Sequence, residues 1–107
     1  MKDININGVF VSNMISSRGN PVANQKVIMF DLINTTYFQS YNTVIARIER
    51  DGNYLKTTLD KSWNDPKRGA SKTTSKYLAR FLMEPRKTTI DKIRNGVYRI
   101  ENLNEKG

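Results

Sequence analysis

The sequence predicts an α+β domain: an antiparallel β-meander of four or five strands packed by one amphipathic helix, with a short second helix and a C-terminal strand. Three observations predict it. Between residues 26 and 59, β-branched and aromatic runs alternate with turn formers, the pattern of hairpin-connected strands. From Ser71 the apolar spacing changes to the 3.6-residue period of a helix. The chain has 107 residues and no cysteine, which fits a single domain with one modest hydrophobic core and no disulfide framework.

Each element follows from local chemistry. Residues 5–14 carry enough Ile, Val and Phe for a strand, broken near Gly8. Residues 16–24 (Ser-Ser-Arg-Gly-Asn-Pro, then Asn24) cluster turn formers and helix breakers, so a loop is expected there. Residues 26–33 form an apolar run of strand length, and Asn34-Thr35-Thr36 turns the chain into Tyr37-Phe38-Gln39-Ser40-Tyr41. Residues 43–50 and 54–59 flank Asp51-Gly52-Asn53, and Asp-Gly is a strong hairpin signal because the turn requires positive φ. Asn64, Asp65, Pro66 and Gly69 then stop the sheet and leave a basic loop.

Thr74, Tyr77, Leu78, Phe81 and Leu82 fall on one side of a helical wheel and Lys72, Lys76 and Arg80 on the other. Pro85 ends this helix. Thr88-Thr89-Ile90-Asp91 reads as a capping box for a shorter helix through Arg94, closed by Asn95-Gly96, and residues 97–100 read as a last strand. There is no internal repeat, although twelve Asn residues give a bias toward polar turns.

Charge is concentrated rather than spread. The formal net charge is +8, yet residues 61–87 alone hold eight cations (Lys61, Lys67, Arg68, Lys72, Lys76, Arg80, Arg86 and Lys87) against Asp65 and Glu84. A cationic stripe with one-turn spacing is what phosphate neutralisation requires, and it is equally the pattern of a solvated helix face. The adjoining basic loop and the scarcity of acids bring RNA or DNA forward as the partner. Tyr37, Tyr41, Tyr54 and Trp63 are the candidate stacking platforms or partner anchors. Strand alternation turns Tyr37 and Phe38 to opposite faces, and Trp63 is expected to pack the basic loop against the helix.

The absence of both Cys and His removes thiolate nucleophiles, imidazole bases, zinc fingers and Ser-His-Asp triads. Asp51 followed by Asp65-Pro66-Lys67 echoes the acid, then acid-x-lysine pattern of magnesium-dependent nucleases. Such a site needs its second acid and lysine on a strand, and Pro66 and Gly69 mark a loop instead. No phosphate loop, dinucleotide fingerprint or nucleophile elbow is present. The reading is therefore a non-enzyme with no metal and no cofactor. No run of about 18 apolar residues exists, so no membrane span is expected, and the start lacks the apolar stretch of a signal peptide.

Asn24-Gln25, Tyr37-Phe38-Gln39-Ser40-Tyr41, Ile45-Ala46, Leu59-Asp60, Trp63, Thr73-Thr74-Ser75-Lys76-Tyr77-Leu78 and Phe81-Leu82 resemble a family of small phage-encoded proteins that carry a domain of unknown function. The resemblance covers residues 24–103 of what reads as one domain over 1–107, and residues 1–23 lie outside it. In that family a tryptophan, aspartate, tyrosine and serine run almost directly into the threonine pair, whereas here 64–70 intervene as a basic insertion. The resemblance implies a bacteriophage accessory protein acting in the cytoplasm of an infected bacterium. Two functions follow as expectations: direct nucleic-acid binding through the basic loop and helix, or inhibition of a host defence or nucleic-acid-processing complex, the partner then being a host protein or ribonucleoprotein. An edge strand or the N-terminal segment is the expected route to a homodimer.

Overall fold

In the computed structural model, residues 8–64 and 71–104 are described in full, and residues 4–6 through their backbone pairing. The strands β1 (Ile4–Ile6), β2 (Val9–Ile15), β3 (Pro21–Phe30), β4 (Thr35–Ser40), β5 (Thr43–Asp51), β6 (Tyr54–Asp60) and β7 (Arg99–Glu101) form one sheet in sequential order. The first six pair antiparallel. Between β6 and β7 run α1 (Lys72–Leu82) and α2 (Arg86–Arg94), and this crossover brings β7 back parallel to β6.

The α+β class stands; the antiparallel meander is corrected from four or five strands to six, β1–β6, and the expected C-terminal strand is β7. The stretch broken near Gly8 becomes two strands, because Gly8 takes φ +79° and folds β1 back on β2. The loop expected over 16–24 shrinks to 16–20. Pro21 to Asn24 already belong to β3, with Pro21 at the first strand position, where its missing N–H costs no ladder bond. Beyond Phe30 the chain makes a single 3-10 turn, Asp31–Ile33, and Asn34 reverses it in the left-handed region at φ 50°.

Register explains the core. Ser12, Val27, Phe38, Ala46, Leu59 and Ile100 are successive cross-strand partners and share one sheet face. The centre of that row, Phe38, Ala46 and Leu59, is fully buried beneath the helices. A bulge in the β4–β5 ladder leaves Ile45 unpaired, and so Ile45 and Ala46, consecutive residues, are both buried. α1 closes over this row with Tyr77 and Leu78 buried and the Phe81 ring stacked on Phe38 at 5.6 Å between centroids. Burying each of these large apolar side chains contributes about 1.5–3 kcal/mol. On the opposite face, Arg47 bridges Glu49 at 3.1 Å and Glu101 at 3.5 Å, an ion-pair chain lying over β5 and β7.

The helix ends are specific. Ser71 caps α1 by accepting from the Thr74 N–H at 3.1 Å, and Met83 terminates it at φ 58°. The capping box expected at Thr88 is not formed. α2 begins earlier, at Arg86, behind Pro85, which cannot continue α1 but suits a helix start. Thr89 lies inside α2, and its hydroxyl donates to Glu84 at 2.6 Å.

Candidate nucleic-acid interface

The structure divides the eight cations of 61–87 into three groups. Lys61, in the turn after β6, Lys72 and Lys76, one turn apart on α1, and Lys87 on α2 are exposed and form no ion pair with a described residue. Lys67 and Arg68 lie outside the described residues, as do Asp65 and Pro66 of the acid-x-lysine echo.

Arg80, half-buried, and Arg86, exposed, also make contacts within the fold. The Arg80 guanidinium donates to the Ile15 carbonyl at 2.9 Å and lies 5.3 Å from the Tyr77 ring centroid, tying α1 to the end of β2. Arg86 stacks over Trp63 at 5.3 Å, donates to the Asn64 side chain, and reaches Ser75 Oγ at 3.5 Å. Trp63 thus holds the 61–64 turn against both helices, half-buried against the core. Of the stripe predicted as Lys72, Lys76 and Arg80, the first two are exposed and Arg80 is half-buried and bonded to Ile15.

The candidate aromatics separate in the same way. Tyr37 is half-buried, edge-on to Phe30 at 5.6 Å, on the face away from α1. Tyr54 is 81% exposed at the β5–β6 hairpin, next to exposed Leu55. Tyr41 is 53% exposed at the β4–β5 hairpin, the end of the sheet that meets the start of α1.

That meeting is a buried polar relay. Gln25 Nε2 donates to Ser40 Oγ at 2.9 Å, Ser40 Oγ lies 2.7 Å from Thr74 Oγ1, and Ser71 Oγ donates to the same Thr74 oxygen at 3.0 Å. Beside it, Asn42, Thr43, Asp60, Lys61, Ser62, Asn102 and Asn104 line an open polar cavity of about 370 Å³. The buried Asp60 carboxylate is its anchor. Burial alone raises the Asp60 pKa, but hydrogen bonds from the Ser62 side chain, the Leu103 and Ser62 backbone and the Asn104 side chain outweigh it and hold the carboxyl below its ordinary value. Asn104 spends its amide on the Val44 backbone, accepting from N–H and donating to C=O, both at 2.8 Å. No motif announced this pocket. Its only trace in the sequence is the bias toward Asn, three of which converge here from two segments far apart in the chain.

Among the described residues no group of three His, Cys, Asp or Glu side chains is placed to hold a metal ion, and no helix is long and apolar enough to cross a membrane. Asp51 sits at the β5–β6 hairpin, at the opposite end of β6 from the turn that carries Lys61.

No curated protein and no solved structure matches the chain. Half of the residues that carry the family resemblance are buried: Gln25, Phe38, Ser40, Ile45, Ala46, Leu59, Asp60, Thr74, Tyr77 and Leu78. What they encode is the packing of α1 on β3–β6 and its polar relay. A family match extends over residues 9–96, so that β2, which the resemblance over 24–103 left out, falls inside it and β7 falls beyond it. On that coverage the chain belongs to DUF8033, a family of unknown function.

Proposed function

We propose that this chain is a small phage accessory protein that binds RNA or DNA without catalysis, in the cytoplasm of the infected host, through the surface formed by the 61–64 turn, α1 and α2. The observation that carries the reading is the set Lys61, Lys72, Lys76 and Lys87: four exposed ammonium groups with no carboxylate partner among the described residues. Among the described cations, Lys92 on α2 and Arg47 on β5 are the ones paired, with Glu84 and with Glu49 and Glu101. Unpaired cations release counterions from a phosphate backbone, and sequence adds Lys67 and Arg68 between two of them.

The test is binding of labelled RNA, single-stranded DNA and duplex DNA at two salt concentrations, with a Lys72→Glu/Lys76→Glu variant alongside. Support is binding that weakens steeply with salt and a variant that is weaker at low salt with a shallower salt slope. Absence of binding to all three nucleic acids at low salt sinks the reading.

One observation favours a second reading, an inhibitor that docks on a host protein complex. Met29, Leu32, Ile33, Tyr54 and Leu55 are all exposed, and strand pairing gathers them at the end of the sheet remote from α1. Exposed apolar residues gathered at one end mark protein contacts. Under this reading Tyr54→Ala abolishes capture of the host complex while Lys72→Glu/Lys76→Glu leaves it intact.

A further inference from the structure

Tyr41 occupies a position where a two-residue hairpin ordinarily places glycine, asparagine or aspartate. It is the first of the two residues between the paired Ser40 and Thr43, and its φ is 55°. A bulky side chain in the left-handed region is strained. Two bonds hold it there: the Tyr41 N–H donates to the Asn24 carbonyl at 2.6 Å, and the Tyr41 carbonyl accepts from Gln39 Nε2 at 2.9 Å. The strain presents a ring to solvent rather than to the core. Immediately after it, Asn42 and Thr43 form one wall of the polar cavity, and Lys61 and Asn102 stand on the others.

The groups around that cavity are unequally occupied. Asp60 and Asn104 are consumed by the fold, as above. The Asn42 amide, the Thr43 hydroxyl, the Lys61 ammonium and the Asn102 Nδ2 make no hydrogen bond to a described residue. An amide offers a donor and an acceptor side by side, which is the complement of a base edge. The ammonium offers a point charge for a phosphate. An exposed tyrosine offers a stacking face. The volume of about 370 Å³ lies at the small end of ligand sites.

We propose that the pocket beside Tyr41 takes one unstacked nucleotide of a single-stranded RNA or DNA. Its base meets Asn42 and Asn102, its phosphate meets Lys61, and Tyr41 stacks on a base. This rests on the nucleic-acid reading and narrows it, since a duplex has no base free to enter. The cations of α1 supply affinity for any phosphate backbone, and the pocket supplies the preference for single strands.

The experiment measures anisotropy of labelled oligo(dT), oligo(U) and duplex DNA of equal length with wild type, Tyr41→Gly, Asn42→Leu and Lys72→Glu/Lys76→Glu. The expected result is single strands bound at least about fivefold tighter than duplex, with Tyr41→Gly and Asn42→Leu each removing most of that preference and leaving duplex binding unchanged. Tyr41→Gly relieves the backbone strain, so a thermal midpoint at or above that of wild type shows that lost binding is not lost folding. Duplex bound as tightly as single strands, or a single-strand preference that survives both pocket variants, overturns the inference while leaving the nucleic-acid reading in place. No binding of any nucleic acid by wild type overturns both.

Discussion

Tyr98 Oη donates to Glu84 Oε1 at 2.7 Å, and this bond ties the segment before β7 to the junction of the two helices. The same carboxylate accepts from Lys92 Nζ at 2.8 Å and from Thr89 Oγ1 at 2.6 Å, so three donors converge on a side chain only 8% exposed. α2 has few buried residues of its own. It is held by this carboxylate and by Arg86 on Trp63.

Glu84 therefore makes folding pH-dependent. Burial raises its pKa, but the hydrogen bonds from Lys92, Thr89 and Tyr98, with the Lys92 charge, outweigh it and set the carboxyl below its ordinary 4.5. A carboxylate with a depressed pKa stabilises the fold above its unfolded value, and the gain disappears as pH falls through the folded value. Lys92, through its bond to Glu84, and Tyr98, through burial and its bond to Glu84, are both raised. Their contribution is present below about pH 10 and is lost at more alkaline pH. Urea unfolding followed by the single tryptophan, Trp63, is expected to show Glu84→Gln less stable than wild type at pH 7, the gap closing as pH drops below 4.5. A gap independent of pH contradicts this account.

The polar relay under α1 predicts an ordering of two substitutions. Thr74 is buried and accepts from Ser71 while contacting Ser40, so Thr74→Val takes one partner from each hydroxyl, leaving the buried Ser40 with Gln25 alone, and is expected to cost about 1–3 kcal/mol. Gln25 is also fully buried, but its Oε1 has no partner among the described residues, so the amide carries a desolvation cost it does not recover. Gln25→Met removes that oxygen and leaves Ser40 bonded to Thr74. It is expected to lie within about 1 kcal/mol of wild type. Chemical denaturation midpoints for the pair check the order, and a larger loss for Gln25→Met refutes it.

These interior polar residues also show where the sequence was legible and where it was not. The inward side of α1, with Tyr77 and Leu78, followed from a periodicity of 3.6, and the Asp51-Gly52 hairpin from turn chemistry. Gln25, Ser40, Thr57, Thr58, Asp60, Thr74 and Thr89 are buried as well, and a hydrophobic pattern cannot register them. The same limit hid the start of β3. Pro21 and Asn24 read as loop formers, yet an initial strand position tolerates the proline, and Asn24 enters the left-handed region at φ 67° within β3. The apparent capping box at Thr88 failed because Pro85 had already set the start of α2, leaving the Thr89 hydroxyl to its bond with Glu84. For the interface, the clustering of cations was legible. Which of them the fold occupies was not, because the Ile15 carbonyl and the Trp63 ring reach Arg80 and Arg86 only through tertiary contact.

Met83 offers a stabilising change. It ends α1 in the left-handed region at φ 58°, with its N–H bonded to the carbonyls of Ala79 and Arg80, and its side chain is 90% exposed. Glycine is the usual residue at such a helix end because it carries no Cβ penalty. Met83→Gly gives up almost no packing and is expected to stabilise by about 1 kcal/mol, an increase of roughly 4–8 °C in Tm for a domain of this size. Differential scanning calorimetry checks it, and a lowered Tm contradicts the assignment.

Arg80 and Lys76 sit one turn apart on α1, yet only the Arg80 guanidinium reaches the Ile15 carbonyl, and under the proposed function substitution is expected to separate stability from binding. Removing the Arg80 guanidinium leaves the Ile15 carbonyl without that donor and uncovers the Tyr77 ring, so Arg80→Ala is expected to destabilise by about 1–2 kcal/mol. Lys76 is exposed, its ammonium 5.4 Å from the adjacent Tyr77 ring, and Lys76→Ala is expected to change stability by less than about 0.5 kcal/mol. For polyanion binding the order reverses. Lys76→Ala removes a free phosphate partner and lowers the salt slope by up to about 0.9 of a unit, whereas Arg80→Ala leaves the slope nearly unchanged at temperatures where it is folded. Thermal melts and salt-titrated binding on the two variants decide the matter together. Equal losses of affinity would return Arg80 to the binding stripe, and an intact Tm in Arg80→Ala would remove its bond to Ile15 from the account of how α1 is held.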